Sequence, residues 1–292
     1  MAYAEVNGQE LYYEDSGGDG PVVLFSHGFL MDADMFAPQV EALAPEFRCV
    51  AWDQRGFGRT RYDAAPFTYW DSAADAIGLL DALGLARAVL AGMSQGGFLS
   101  LRAALTEPNR VRGLVLLDTQ AGTEDEANVP AYEAMVGDWE ANGPVNVGPT
   151  VAGLIIGSPE HERPWLAKWE ERPRDALRRP FETLMGRDDV TDRLGEIGAP
   201  ALVVHGVADQ AITMDRAELL CERLTDCRGL VKVEGAAHAA NLTHPEAVNP
   251  ALREFLVDPE SRHEGFGRQA QVTRPSSSGL TRSAEDGATR TP

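Results

Sequence analysis

A chain of 292 residues, 43% of them hydrophobic, is long enough for one large domain or two small ones and can bury a substantial core. Its formal net charge of −19 repels nucleic acid and anionic membrane surfaces, which leaves small molecules as the expected partners. No run approaches the roughly 20 apolar residues of a membrane helix, and MAYAEVNGQELYYED has no basic segment leading into an apolar one, so neither a membrane span nor secretion is expected.

In chain order, ELYYED, PVVLFSHG and FRCVAWD read as strands, and DSAADAIGLLDALGL has apolar residues at helical spacing with a glycine near its end. ARAVLAGM is the next strand, a helix starts at about Gln95, and VRGLVLLD is a strand again. Strands separated by helical crossovers imply a parallel sheet covered by helices on both faces, and continuous runs such as VVLF and LVLL suit strands with no polar face. Between about Thr123 and Ile197 the rhythm changes to helix-prone but irregular sequence that carries three of the five tryptophans, Trp139, Trp165 and Trp169. APALVVHG, a helix around DRAELLCERL, the strand GLVKVEG and a helix from about Pro245 to Leu256 restore it. The expected organisation is a core of residues 1–122 and 198–258, interrupted by a helical lid at 123–197, with a tail at 259–292. That tail has four acids, five arginines and almost no apolar residues, and is expected to be disordered. The three cysteines, Cys49, Cys221 and Cys227, form no CxxC pair and suit reduced thiols in a cytoplasm; a metal or redox pair of Cys221 with Cys227 is the lesser reading.

Gly92-Met93-Ser94-Gln95-Gly96 fits G-x-S-x-G between a strand and a helix. In that context the serine sits on a strained turn that lifts its hydroxyl above the sheet, and small neighbours let strand and helix approach. The bland alternative is a glycine-rich turn with an incidental serine. A serine nucleophile needs a base and an acid to orient it. His238, in VEGAAHAANLTHPE, combines a loop after the last strand with small neighbours, and is the expected base. His161 and His263 lie in the lid and tail, His244 starts the last helix, His205 ends its strand, and His27 reads as fixing its own loop. Asp209, after strand ALVVHG, is favoured as the acid, with Asp118 at the end of VRGLVLLD as the rival that geometry must exclude. The N–H groups of Gln95 and Phe29 are the expected oxyanion donors, and Trp139, Trp165 and Trp169 are candidate pocket residues.

The HGF loop at 27–29, DQRGFGRT at 53–60, GMSQGG, LVVHGVADQ and GAAHAANLTHPEAVN together resemble the α/β-hydrolase superfamily from about Glu10 to Leu256. The resemblance implies an α/β fold with a mostly parallel sheet, an inserted lid, an architectural role for Asp53 and Arg55, and no metal or organic cofactor. Within the superfamily the chain is similar to the lidded group of 3-oxoadipate enol-lactonases, small carboxylesterases and cofactor-free haloperoxidases. Serine at position 94 disfavours dehalogenases and epoxide hydrolases, which use aspartate there; Gln95 stands where many relatives carry methionine. The expected activity is hydrolysis of small carboxylic esters or lactones, with perhydrolysis by the same triad, or small-molecule binding without catalysis, as the alternatives.

Overall fold

Alternate residues of the central strands enter two different cores. Val23 and Phe25, Val89 and Ala91, Val115 and Leu117, and Leu202 and Val204 face one side; Leu24, Leu90, Leu114, Leu116 and Val203 face the other. A strand buried on both faces must be apolar throughout, which is why these runs lack the polar alternation of a half-exposed sheet.

In the computed structural model, which describes residues 2–257, eight strands form one sheet: β1 (Ala2–Val6), β2 (Gln9–Asp15), β3 (Val22–Ser26), β4 (Arg48–Trp52), β5 (Ala88–Met93), β6 (Val111–Leu117), β7 (Ala201–Gly206) and β8 (Cys227–Val233). Their order is β1-β2-β4-β3-β5-β6-β7-β8. β2 pairs antiparallel with both β1 and β4, and all later pairings are parallel. The helices are α1 (Ala37–Leu43), α2 (Tyr69–Ala82), α3 (Gln95–Thr106), α4 (Val129–Asn142), α5 (Gly148–Ile155), α6 (Pro159–Glu170), α7 (Arg178–Met185), α8 (Met214–Arg223), α9 (Ala240–Thr243) and α10 (Pro245–Val257). No described helix is long and apolar enough to cross a membrane.

β1, α1 and the four-residue α9 escaped the sequence reading. β1 turns into β2 through Asn7 and Gly8, both at positive φ, the Asn-Gly hairpin signal that stands in VNGQ. α1 is only seven residues long and follows a 3-10 turn capped by the Asp32 side chain, too short for a periodicity to declare itself.

α4 to α7 all lie between β6 and β7 and share one hydrophobic cluster with α1 and α10. Polar contacts fasten them to the core: the Trp169 indole donates to the Leu30 carbonyl at 2.9 Å, Thr183 Oγ1 donates to the Phe67 carbonyl at 2.7 Å, and Lys168 Nζ reaches Asp32 and Asp34 at 2.8 and 2.6 Å. The DQRGFGRT turn is held by buried charge. Arg55 makes a two-point pair with Asp75 at 2.6 and 2.7 Å, and Asp53 accepts from Ala33 N and from the backbone and side chain of Arg59.

The expectation of three reduced thiols is corrected for two of them. Cys221 on α8 and Cys227 at the start of β8 form a disulfide with Cα atoms 5.2 Å apart, because the chain reverses within the few residues between helix and strand. Cys49 is free and buried, and burial, with help from Asp15, pushes its thiol up to about 12. The tail expectation, with His263, lies outside the described residues.

Candidate active site

β5 ends at Met93 and α3 begins at Gln95, so the whole change of direction falls on Ser94, which has φ 51° and ψ −115°. For a residue with a Cβ this conformation costs on the order of 1–3 kcal/mol and persists only where its surroundings enforce it. Here Ser94 N donates to Leu117 O at 2.9 Å, while its carbonyl accepts from Gly97 N at 2.8 Å and from Thr119 Oγ1 at 2.7 Å. The glycines are needed for closeness. A methyl at Gly92 would strike the Gly96 carbonyl, one at Gly96 the Ser26 carbonyl, and one at Gly97 the Thr119 side chain.

Asp209 follows β7 by three residues, and its Oδ1 is fixed by the N–H groups of Ala211 and Ile212 at 2.8 and 3.0 Å. Oδ2 meets His238 Nδ1 at 2.7 Å. Since the carboxylate accepts, Nδ1 carries the proton, which leaves Nε2 as the basic nitrogen. Burial alone drives the imidazole pKa down. The Asp209 charge and hydrogen bond, aided by Asp118 and Glu124, outweigh that and hold His238 above its ordinary value. Burial likewise pushes Asp209 up, but His238, the Ile212 N–H and nearby His205 bring it below the usual carboxylate range.

Asp118 sits at the end of β6 with φ 45°, fully buried, and accepts from Gly206 N at 2.7 Å and Ala240 N at 3.2 Å. It has no hydrogen bond to His238. Burial and the nearby Asp209 charge raise it well above the ordinary carboxylate value. It therefore splints the strand ends that carry Asp209 and His238. His27 is also accounted for: its Nδ1 meets the Gly28 carbonyl at 2.7 Å, its Nε2 accepts from Gln54 N at 3.0 Å, and burial depresses it to about 4. His205 Nε2 donates to the Ile212 carbonyl at 2.8 Å. Among the described residues Asp118, His205 and Asp209 place ligand-type atoms within 4.8 Å of one another, but the hydrogen bonds just given occupy those carboxylates and His205 Nε2.

Ser94 and His238 open into one cavity of about 120 Å³, room for a group of roughly benzene size. Phe29 lines it, and a methyl on the preceding Gly28 would lie 3.6 Å from Ser94 Cβ, so the HGF backbone runs directly beside the serine. The N–H groups of Phe29 and Gln95 donate to no described residue, and that of Gln95 is the first of α3, where the helix dipole favours negative charge. The Gln95 side chain turns away, to Tyr69 and Gln54. Of the three tryptophans only Trp139 lines the cavity. The expectation for Trp165 and Trp169 is corrected: Trp169 is spent on the Leu30 carbonyl and Trp165 stacks with Lys168, whose Nζ is 4.3 Å from its ring. Four polar lining residues had no sequence signal, Gln120, Glu124, Tyr132 and Arg187, because each lies in irregular sequence or within the insert.

Known proteins share this fold. The model of the alpha/beta hydrolase fold family matches residues 21–245. Carbamate hydrolase RutD of Azorhizobium caulinodans is 29% identical over 265 residues, covering 87% of this chain and 98% of its own. Among solved structures, the enol-lactonase of Burkholderia xenovorans superposes with a TM-score of 0.79 at 27% identity, covering 87% and 99% of the two chains. A thermophilic esterase of Thermogutta terrifontis gives 0.78 at 28%, covering 85% and 93%. The chain belongs to the alpha/beta hydrolase fold family and is a hydrolase of that fold.

Proposed function

We propose that this hydrolase cleaves small carboxylic esters or lactones through an acyl-enzyme on Ser94. The observation that carries the reading is the conjunction of a strained serine with a histidine whose Nδ1 is bound by a buried carboxylate, both opening into one small cavity.

Ser94 Oγ attacks the carbonyl carbon while His238 Nε2 takes its proton, and Asp209 stabilises the imidazolium so formed. The N–H groups of Phe29 and Gln95 receive the charge that develops on the carbonyl oxygen; one such donor is typically worth about 2.7–4 kcal/mol in the transition state. His238 then protonates the leaving alcohol. Water, deprotonated by the same nitrogen, attacks the acyl-enzyme and frees Ser94 and the acid. The esterase and enol-lactonase relatives support this substrate class. The helices between β6 and β7 act as the lid, with Trp139 and its neighbours limiting the size of the group held.

A panel of p-nitrophenyl esters of rising chain length, run beside aliphatic and enol lactones, tests the proposal. A sharp optimum among short acyl chains or lactones is expected, with turnover abolished in Ser94→Ala. Turnover that survives in Ser94→Ala would overturn it.

A further inference from the structure

Two buried polar groups line the apolar cavity: an amide oxygen with no partner among the described residues, and a guanidinium with one nitrogen that makes no hydrogen bond. Gln120 is 5% exposed, its Oε1 has no hydrogen-bond partner, and its amide bonds to no described residue. Arg187, 6% exposed, lies against the Phe98 ring with its guanidinium carbon 4.7 Å from the centroid. Its Nε donates to the Gly122 carbonyl at 3.0 Å and its Nη1 to the Leu184 carbonyl at 2.7 Å. Nη2 makes no hydrogen bond to any described residue, and the carboxylate oxygen paired with it, Glu124 Oε2, stands off at 3.8 Å.

A guanidinium clamped by two carbonyls is preorganised, so it loses little freedom when it binds. Buried groups left unsatisfied cost more than most proteins tolerate without a function for them. Which end of the Gln120 amide faces the cavity is interchangeable, so it can offer N–H to the same cavity that Arg187 lines. Phe98 stands four residues after Ser94, and Ser94, Phe98 and Arg187 line the same cavity. The molecule as a whole is strongly acidic, so attraction for an anion here must be local.

We propose that Arg187 and Gln120 form a carboxylate subsite, so that the substrate is an ester or lactone whose acyl part ends in a carboxylate. The inference rests on the Ser94 hydrolase reading. Glu124 Oε2, 3.8 Å from Arg187 Nη2, holds the place of that carboxylate and must give way to it when substrate binds.

The test compares mono-p-nitrophenyl glutarate with p-nitrophenyl butyrate as a ratio of kcat/KM. The wild-type ratio is expected to exceed about 10, and to fall about 10- to 100-fold in Arg187→Gln and by less in Gln120→Leu. Glu124→Gln should raise it by lowering KM for the anionic ester. A wild-type ratio of one or less, or a ratio unchanged in Arg187→Gln because both esters fall together, would overturn the subsite. Should Arg187→Gln fail to fold, the wild-type ratio and Gln120→Leu still decide. A readout without turnover is calorimetric binding to Ser94→Ala, where monomethyl glutarate should bind at least about tenfold more tightly than methyl butyrate; equal binding contradicts the subsite. Fluorophosphonate labelling separates the two failures. An unlabelled wild type sinks the hydrolase reading, whereas a labelled enzyme with no preference for the anion sinks only this inference.

Discussion

Replacing Asp209 by asparagine should remove most of the activity, whereas the same change at Asp118 should remove little. Both carboxylates are buried near His238, but only Asp209 meets it, at 2.7 Å from Nδ1. Without that charge the imidazolium formed during attack is unsupported and the proton-bearing nitrogen is no longer fixed, which costs about 10⁴ in kcat in a comparable triad. Asp118→Asn keeps the acceptor for Gly206 N but turns an amide N–H₂ toward Ala240 N, now 3.2 Å from Oδ2. One lost buried hydrogen bond costs about 1–3 kcal/mol of stability. Because Asp118 makes no hydrogen bond to His238 and instead holds the Gly206 and Ala240 N–H groups, activity should stay within about tenfold.

The pH dependence gives a second readout. His238 must be neutral to act as base, and its pKa is raised, so the acidic limb of kcat/KM should lie above 6.5. In Asp209→Asn the main raising influence is gone while burial remains, so that limb moves down. For stability the signs oppose. The raised His238 contributes fully below its unfolded value of 6.5, and this is lost as pH rises through its folded pKa. The lowered Asp209 contributes above 3.8, and this is lost as pH falls through its folded pKa. The stability gap between wild type and Asp209→Asn should therefore be widest between 3.8 and 6.5 and shrink above it. Stopped-flow or initial-rate profiles and denaturant titrations across that range supply both curves. A larger rate loss in Asp118→Asn than in Asp209→Asn would refute the assignment.

Other consequences are equally direct. Gly96→Ala should lower Tm steeply or prevent soluble expression, since its methyl meets the Ser26 carbonyl of β3, which cannot retreat; a Tm within about 2 °C of wild type would contradict the packing described. Trp139→Ala should move the acyl-length optimum toward longer chains while costing about 3–5 kcal/mol of stability, read from the ester panel and urea midpoints. Reducing the Cys221–Cys227 disulfide, which closes a loop with a separation of 6 residues, should cost about 2 kcal/mol, measured by urea unfolding with and without reductant.

How much of this was legible in the sequence depends on how local each signal is. The elbow is local: a serine between small residues at a strand-to-helix junction specifies its own strain, and Gly92, Gly96 and Gly97 are required by contacts within a few residues or with the adjacent strand end. The order of Ser94, Asp209 and His238 follows from strand order, since each stands just beyond the end of a parallel strand. Choosing between Asp209 and Asp118 needed distances, because both follow strands and both are buried. The cavity was the least legible part. Trp139 and Trp169 both belong to the insert and their ring centroids are 5.8 Å apart, yet only one faces the substrate space. Arg187 resembles any surface arginine in GRDD until the fold buries it against Phe98. The disulfide depended on the tightness of the α8–β8 turn, which composition does not report.

The central claim is covalent catalysis by Ser94, and its most direct test is a rapid-quench reaction with a p-nitrophenyl ester followed by peptide mass spectrometry. The account predicts a burst of one p-nitrophenolate per active site and an acyl group on the peptide that contains Ser94, absent in Ser94→Ala. Steady hydrolysis without a burst or acyl adduct in a variant whose deacylation is slowed, or an adduct on another residue, would contradict it.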